Sequence, residues 1–164
     1  MMLALLSGCA WINIPAQGGD YGADHDPNDE RVLKIELQAL RAVDEPLGPD
    51  AAVFVILPKD TLPASYEAVV PQVSAKAAWS AKPPATGALV LEVRQVRVRG
   101  TFAQADVIQP ANAAEPEGLK QVVTVYLHRD IVVGWHVERL RPWHIGVEEA
   151  LVQSEREAEI NIKP

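Results

Sequence analysis

Apolar and polar positions follow two different periods along the chain. Residues 28–43 alternate at first sight, since Leu33, Ile35, Leu37 and Ala39 interleave with Lys34, Glu36 and Gln38. At helical spacing, however, Lys34, Gln38, Arg41 and Glu45 share one stripe and the remainder is mostly apolar. The run Asp26-Pro27-Asn28-Asp29-Glu30 just before it carries helix-start signals: an Asp cap, a Pro in the first turn and acids at the positive end of the dipole. A helix with a broad buried face is expected. Residues 51–57 (AAVFVIL) are a short β-branched run ahead of Pro58 and predict a buried strand. From Pro63 to about residue 77, Tyr66, Val69, Val70 and Val73 recur at i, i+3, i+4 and i+7, a second helix that Pro71 should kink or stop. Residues 79–87, with Pro83-Pro84, form a linker.

Beyond residue 88 the period is two. Leu89, Leu91 and Val93 share one face; Val96 and Val98 then continue out of phase, so a β-bulge at Arg94-Gln95 is needed to keep them together. Gly100 turns the chain into 101–109, with Ala103, Ala105 and Val107 on one face. A polar loop follows at 110–118, then strands at 121–128 and 132–141 joined around Arg129-Asp130. The glutamate-rich tail from Gly146 has only Val147 and Leu151 at helical spacing and predicts a frayed helix. Helices first and a strand meander second is an α+β order. One or two N-terminal helices should pack on a curved antiparallel sheet of four to five strands. The expected organisation is a signal segment at 1–8, Cys9 and a tether at 9–25, one α+β domain at 26–145 and an acidic tail at 146–164.

Composition narrows the classes of function. The 164 residues fit one domain, and 48% apolar content is too high for disorder. A net charge of −7, from 22 acidic and 15 basic side chains, argues against a nucleic-acid binder, which needs a clustered basic surface. The single cysteine excludes an internal disulfide framework, and no apolar run reaches the roughly 20 residues that cross a bilayer as a helix.

The first ten residues are apolar and uncharged, with small residues before that cysteine. Leu6-Ser7-Gly8-Cys9 resembles the lipobox of bacterial lipoproteins. The resemblance implies cleavage before Cys9, a thioether-linked diacylglycerol on its sulfur, and a membrane anchor strengthened by a second acyl chain. The segment is short and has no Lys/Arg-rich start, which favours a translation start further upstream. Ala10, in place of the aspartate that holds many such proteins at the inner membrane, points to the outer membrane facing the periplasm.

Residues 93–143 resemble the C-terminal half of nuclear-transport-factor-like (SnoaL-like) domains. The resemblance rests on Val96-Arg97-Val98-Arg99-Gly100, Ala103-Gln104-Ala105-Asp106-Val107, Val123-Thr124-Val125-Tyr126-Leu127 and Gly134-Trp135-His136-Val137-Glu138. It implies a cone-shaped pocket between helix and sheet, used in that family for small ligands, for isomerase or hydrolase chemistry, or for assembly. The strand at 51–57 departs from the family and leaves a cystatin-like arrangement open.

Four groups of residues are candidates for chemistry. Glu36 is the one charge on the apolar side of the first helix, where a dry pocket would raise its pKa and suit it to general-base work; the bland reading is a boundary position. Arg94, Arg97 and Arg99 form a basic edge that either discourages edge pairing or meets an anionic ligand or partner. Asp106 is out of phase with Ala103 and Ala105 and should face solvent. His128, His136 and His144 lack i, i+4 or His-x-His spacing, and the first two face each other in one hairpin register only, so no metal is expected. Asp24, Asp26 and Asn28 imitate a calcium loop, but its glycine position is Asp29 and its glutamate position Ile35. No cofactor motif is present in the sequence.

The expected protein is a non-catalytic envelope lipoprotein, held to the membrane through Cys9, whose domain binds a protein partner or small ligand. The alternatives are a SnoaL-like enzyme using Glu36 and a structural subunit that forms a homodimer. Nucleic acid is not an expected partner.

Overall fold

The computed structural model describes residues 11–15, 25–48, 51–82, 84 and 86–160. Cys9, Asp24 and most of the expected tether lie outside these residues.

The first helix, α1 (Glu30–Asp44), begins three residues after the expected start. Asp29 is its cap, its carboxylate accepting from the Arg31 N–H at 2.8 Å. Asp26 instead accepts from the Asn28 N–H at 2.8 Å and closes a local turn ahead of the helix. Val32, Ile35, Ala39, Leu40 and Val43 form the buried face of α1. Helix α2 (Pro63–Val73) runs through Pro71 and ends two residues later, where the chain becomes extended at Ser74. The Arg41 side chain donates to the Gln72 carbonyl at 2.8 Å and ties the two helices together.

Among the described residues, seven strands form one sheet: β1 (Ile12–Ile14), β2 (Val53–Ile56), β3 (Ala77–Ala78), β4 (Leu89–Arg99), β5 (Phe102–Pro110), β6 (Lys120–Asp130) and β7 (Gly134–Pro142). The order is β3-β2-β4-β5-β6-β7, with β1 also on β4. The α+β class therefore holds, while the sheet is larger than expected and mixed. β2 runs parallel to both β3 and β4, because α2 supplies the crossover that parallel neighbours require. The eleven-residue β4 is the axis. One edge pairs with β5; the other is shared by β2 at Leu89–Glu92 and β1 at Val96–Val98.

The anticipated bulge is present, with Arg94 as the extra residue between Val93 and Gln95. It returns Val96 and Val98 to the face of Leu91 and Val93. That inner face, continued by Ala103, Ala105 and Val107 of β5 and Val123, Val125 and Leu127 of β6, forms the main core with α1 and α2.

Three regions differ from the sequence reading. β1 lies within the expected tether: its three residues are too few for a period, and only pairing with β4 reveals them. The β6–β7 turn is at Ile131–Val133 rather than Arg129-Asp130. There the Asp130 carboxylate accepts from the Val132 and Val133 N–H groups at 2.7 and 3.3 Å, and Gly134 takes the left-handed conformation at φ +81°. The tail forms the expected helix, α3 (Val147–Ile160), but that helix is packed on the opposite face of the sheet from α1. Its inward positions are Ala150, Ser154 and Ala158, small residues that register no apolar stripe. Among the described residues, no helix is long and apolar enough to cross a membrane.

Candidate functional site

The outer face of the sheet carries a buried polar cluster and, beside it, a groove. Period-two alternation after the Arg94 bulge turns Arg97 away from the main core, and the same alternation turns Asp106 and Thr124 to that side. α3 then covers them. Arg97 Nη1 donates to Asp106 Oδ2 at 2.8 Å and to the Ser154 hydroxyl at 3.1 Å. The other Asp106 oxygen accepts from Thr124 at 2.6 Å and Ser154 at 2.8 Å. The Trp143 indole donates to the Thr124 hydroxyl at 2.9 Å. Arg97 is 2% and Asp106 0% exposed, so the expectation of a solvent-facing Asp106 is corrected. Alternation alone separates two faces, and here a helix rather than water covers the second. Both Asp106 oxygens are thus satisfied within a dry site, the condition under which a buried carboxylate survives, while Arg97 Nε is buried with no hydrogen-bond partner.

The three arginines are therefore not one basic edge. Arg94 stands exposed at the bulge and pairs with Glu92 at 2.9 Å, Arg97 is consumed by Asp106, and Arg99 lines the groove. β4 is interior to the sheet, so none of them guards a free edge.

The groove has a volume of about 530 Å³ and is lined by Trp11, just ahead of β1, by the β4–β5 turn and by residues of β5, β6 and β7. Trp11, Phe102 and Tyr126 supply aromatic walls and Arg99 and Arg139 supply cations. Gln104, only 3% exposed, also lines it, with its side-chain oxygen sealed from solvent and without a hydrogen-bond partner. Trp11 is held in place by donating its indole N–H to the Ala158 carbonyl at 2.7 Å. A second bulge shapes the rim. Leu127 pairs with Val137 but Tyr126 with Arg139, leaving Glu138 as the extra residue of β7. In a regular strand Glu138 and Arg139 would point to opposite faces; the bulge lets both line the groove. The Arg139 guanidinium sits 4.0 Å above the Tyr126 ring, and burial pushes the Tyr126 phenol above its ordinary range, reinforced by Glu157.

Glu36 is elsewhere. It is fully buried in the inner core, both carboxyl oxygens lack a hydrogen-bond partner, and it does not line the groove. Burial raises its pKa well above the ordinary 4.5. The Tyr66 hydroxyl, whose pKa burial and the Glu36 charge both raise, is engaged by the Leu57 backbone, accepting from its N–H at 3.0 Å. Burial thus favours the protonated form of Glu36, and neither carboxyl oxygen has a hydrogen-bond partner in the core.

His128 and His136 are direct cross-strand partners, the one register in which they meet, with ring centroids 5.6 Å apart at 87°. His144 is exposed beyond β7. Gln104, Tyr126 and Arg139 were not singled out by sequence reasoning. Gln104 alternates with Ala103 and Ala105 as Asp106 does, but only Asp106 meets Ser154 of α3, a difference that the sequence pattern does not carry.

Comparison of the chain with protein-family models, curated proteins and solved structures gives no match.

Two stability measurements follow from this geometry. Asp106→Ala leaves Arg97 buried without its counter-charge and should cost about 3–5 kcal/mol, whereas the double variant Arg97→Met/Asp106→Leu should recover most of that loss. Urea unfolding of the three proteins checks it; an Asp106→Ala protein as stable as the parent would show that the pair contributes nothing. Glu36 binds its proton more tightly in the folded state, so folded stability should fall as pH rises above 4.5 towards the raised folded value. Glu36→Gln should remove that slope, and Glu36→Leu should stabilise the protein at neutral pH by about 1–3 kcal/mol, since a partnerless polar group leaves the core. Unfolding curves between pH 5 and pH 8 decide this, and an unchanged slope in Glu36→Gln would exclude the assignment.

Proposed function

We propose that the protein is a lipid-anchored envelope lipoprotein whose single domain binds a small amphipathic ligand in the outer-face groove. The observation that carries the reading is the combination at that groove: aromatic walls from Trp11, Phe102 and Tyr126 beside the guanidinium groups of Arg99 and Arg139. A ligand with an apolar body and an acidic group fits those walls and cations. Ligand pockets are commonly built this way, from apolar walls with a few convergent polar groups. The anchor rests on Leu6-Ser7-Gly8-Cys9, which makes Cys9 the lipidated residue. Binding is favoured over catalysis by the position of Glu36, in the packed core and away from the groove.

A second reading, docking of an envelope protein or a second copy, is favoured by the β6–β7 tip. Ile131, Val132 and Val133 are three consecutive apolar residues at 103%, 91% and 74% exposure. Such a patch is uncommon on a surface that contacts only water.

Cys9→Ala should move the protein from the membrane fraction to the soluble one and abolish acyl labelling; retention of both would refute the anchor. Native mass spectrometry of the Cys9→Ala chain, purified gently from a Gram-negative envelope, then tests the groove. A discrete extra mass on the monomer, lost in Arg139→Ala, is the expected result. A bare dimer would transfer the assignment to the β6–β7 tip, and a bare monomer would overturn the ligand reading.

A further inference from the structure

We infer that His128, His136 and Glu138 form a binding site for one divalent transition-metal ion of the zinc class. One ligand atom from each, an imidazole nitrogen from the histidines and a carboxylate oxygen from Glu138, lies within 4.8 Å of the others. In tetrahedral zinc coordination, with bonds of about 2.0–2.1 Å, neighbouring ligand atoms stand about 3.3 Å apart. Closing that difference takes a rotation of the exposed Glu138 side chain and small adjustments of two half-buried rings.

The backbone performs the convergence. His128 and His136 are opposed in the β6–β7 ladder, which brings residues eight apart in sequence face to face. Glu138 follows two positions after His136, hence on the same side of β7, and is the bulged residue at the register shift. Phe102, across from His128 in the neighbouring strand, packs its ring 4.9 Å from the His128 ring and restrains it. Nδ1 of His136 faces the Gly134 carbonyl at 3.5 Å. An Nδ1–H directed at that oxygen leaves Nε2 free as the ligand, the arrangement that commonly orients a metal-binding imidazole.

The donor set selects the ion. Two imidazoles and one carboxylate suit Zn²⁺ and its neighbours Co²⁺, Ni²⁺ and Cu²⁺, whereas Mg²⁺ and Ca²⁺ take oxygen shells. Three protein ligands leave a coordination position for water or a further donor. Since Glu138 also lines the groove, the ion would stand at its rim. Metal binding requires no groove ligand, so this inference stands or falls separately from the function proposed above.

The test uses the full chain carrying Cys9→Ala, which removes the only thiol. Titration with ZnCl₂ in a calorimeter should give one site per chain, and a hundredfold excess over Kd should raise Tm by about 5–10 °C. Co²⁺ should give the visible absorption of a four- or five-coordinate site. His136→Ala and Glu138→Gln should each weaken Zn²⁺ binding at least about tenfold, and His144→Ala should leave it unchanged. Glu138 is exposed, so Glu138→Gln tests the site without threatening the fold. The inference is overturned if no saturable heat or Tm shift is seen, or if binding persists unchanged in Glu138→Gln and in His128→Ala/His136→Ala.

Discussion

The Arg97–Asp106 pair is the constraint around which the outer half of the molecule is arranged. Removing a guanidinium and a carboxylate from water costs several kcal/mol per ion, and their mutual attraction offsets this only when the remaining polar atoms are also satisfied. Asp106 meets that condition through three donors from three different elements: β4, β6 and α3. The consequence is geometric. Ser154 has to reach the strand centre, which requires small residues at Ala150 and Ala158 on either side, and this sets the closeness with which α3 lies on the sheet. The Arg141–Glu157 ion pair then ties the helix to β7, and Trp143 shares a small apolar cluster with Ala150 of α3. The groove lies on the same face, and the Trp11 indole that lines it bonds to Ala158 in the last turn of α3. A buried ion pair and a groove are thus two parts of one surface.

Two single-residue bulges do the aiming. The one at Arg94 changes the parity of β4, keeping Val96 and Val98 in the main core while sending Arg97 to Asp106. The one at Glu138 changes the parity of β7, so that consecutive residues Glu138 and Arg139 serve the same face. Without the first there is no charge pair; without the second the groove has either an acid or a base at its rim, but not both. The inner face shows the opposite logic. Glu36 lies in the buried core with no hydrogen-bond partner, and burial favours its protonated form. Asp106 by contrast accepts from three donors, and nothing in the surroundings of Glu36 explains its retention.

Much of the architecture was legible because it is local. The helical stripe of 28–43, the apolar run at 51–57 and the alternation of 89–99 each depend on side chains a few residues apart, and the phase slip at Arg94-Gln95 located a bulge without any structure. The candidate site was far less legible. Alternation reports which residues share a face but not what covers that face, so it sends Asp106 to solvent and groups Arg97 with Arg94 and Arg99 as one basic edge. The β6–β7 turn was misplaced because Ile131, Val132 and Val133 are apolar and exposed, a combination that hydrophobicity reads as strand. The decisive signal there was polar: Asp130 followed by Gly134, an acceptor for turn amides and a residue at ease at positive φ.

By itself, then, the sequence determined the α+β order, the elements with several turns or strand pairs of regular period, and the cysteine-bearing Leu6-Ser7-Gly8-Cys9 segment. These are encoded by neighbours in the chain. Only the tertiary structure decided that β1 joins the sheet, that β2 runs parallel to β4, that α3 covers half of the outer face and that His128 meets His136. Each of those is a pairing between distant segments, settled by register and by the burial available once the other elements are in place. Periodicity carries no information about either.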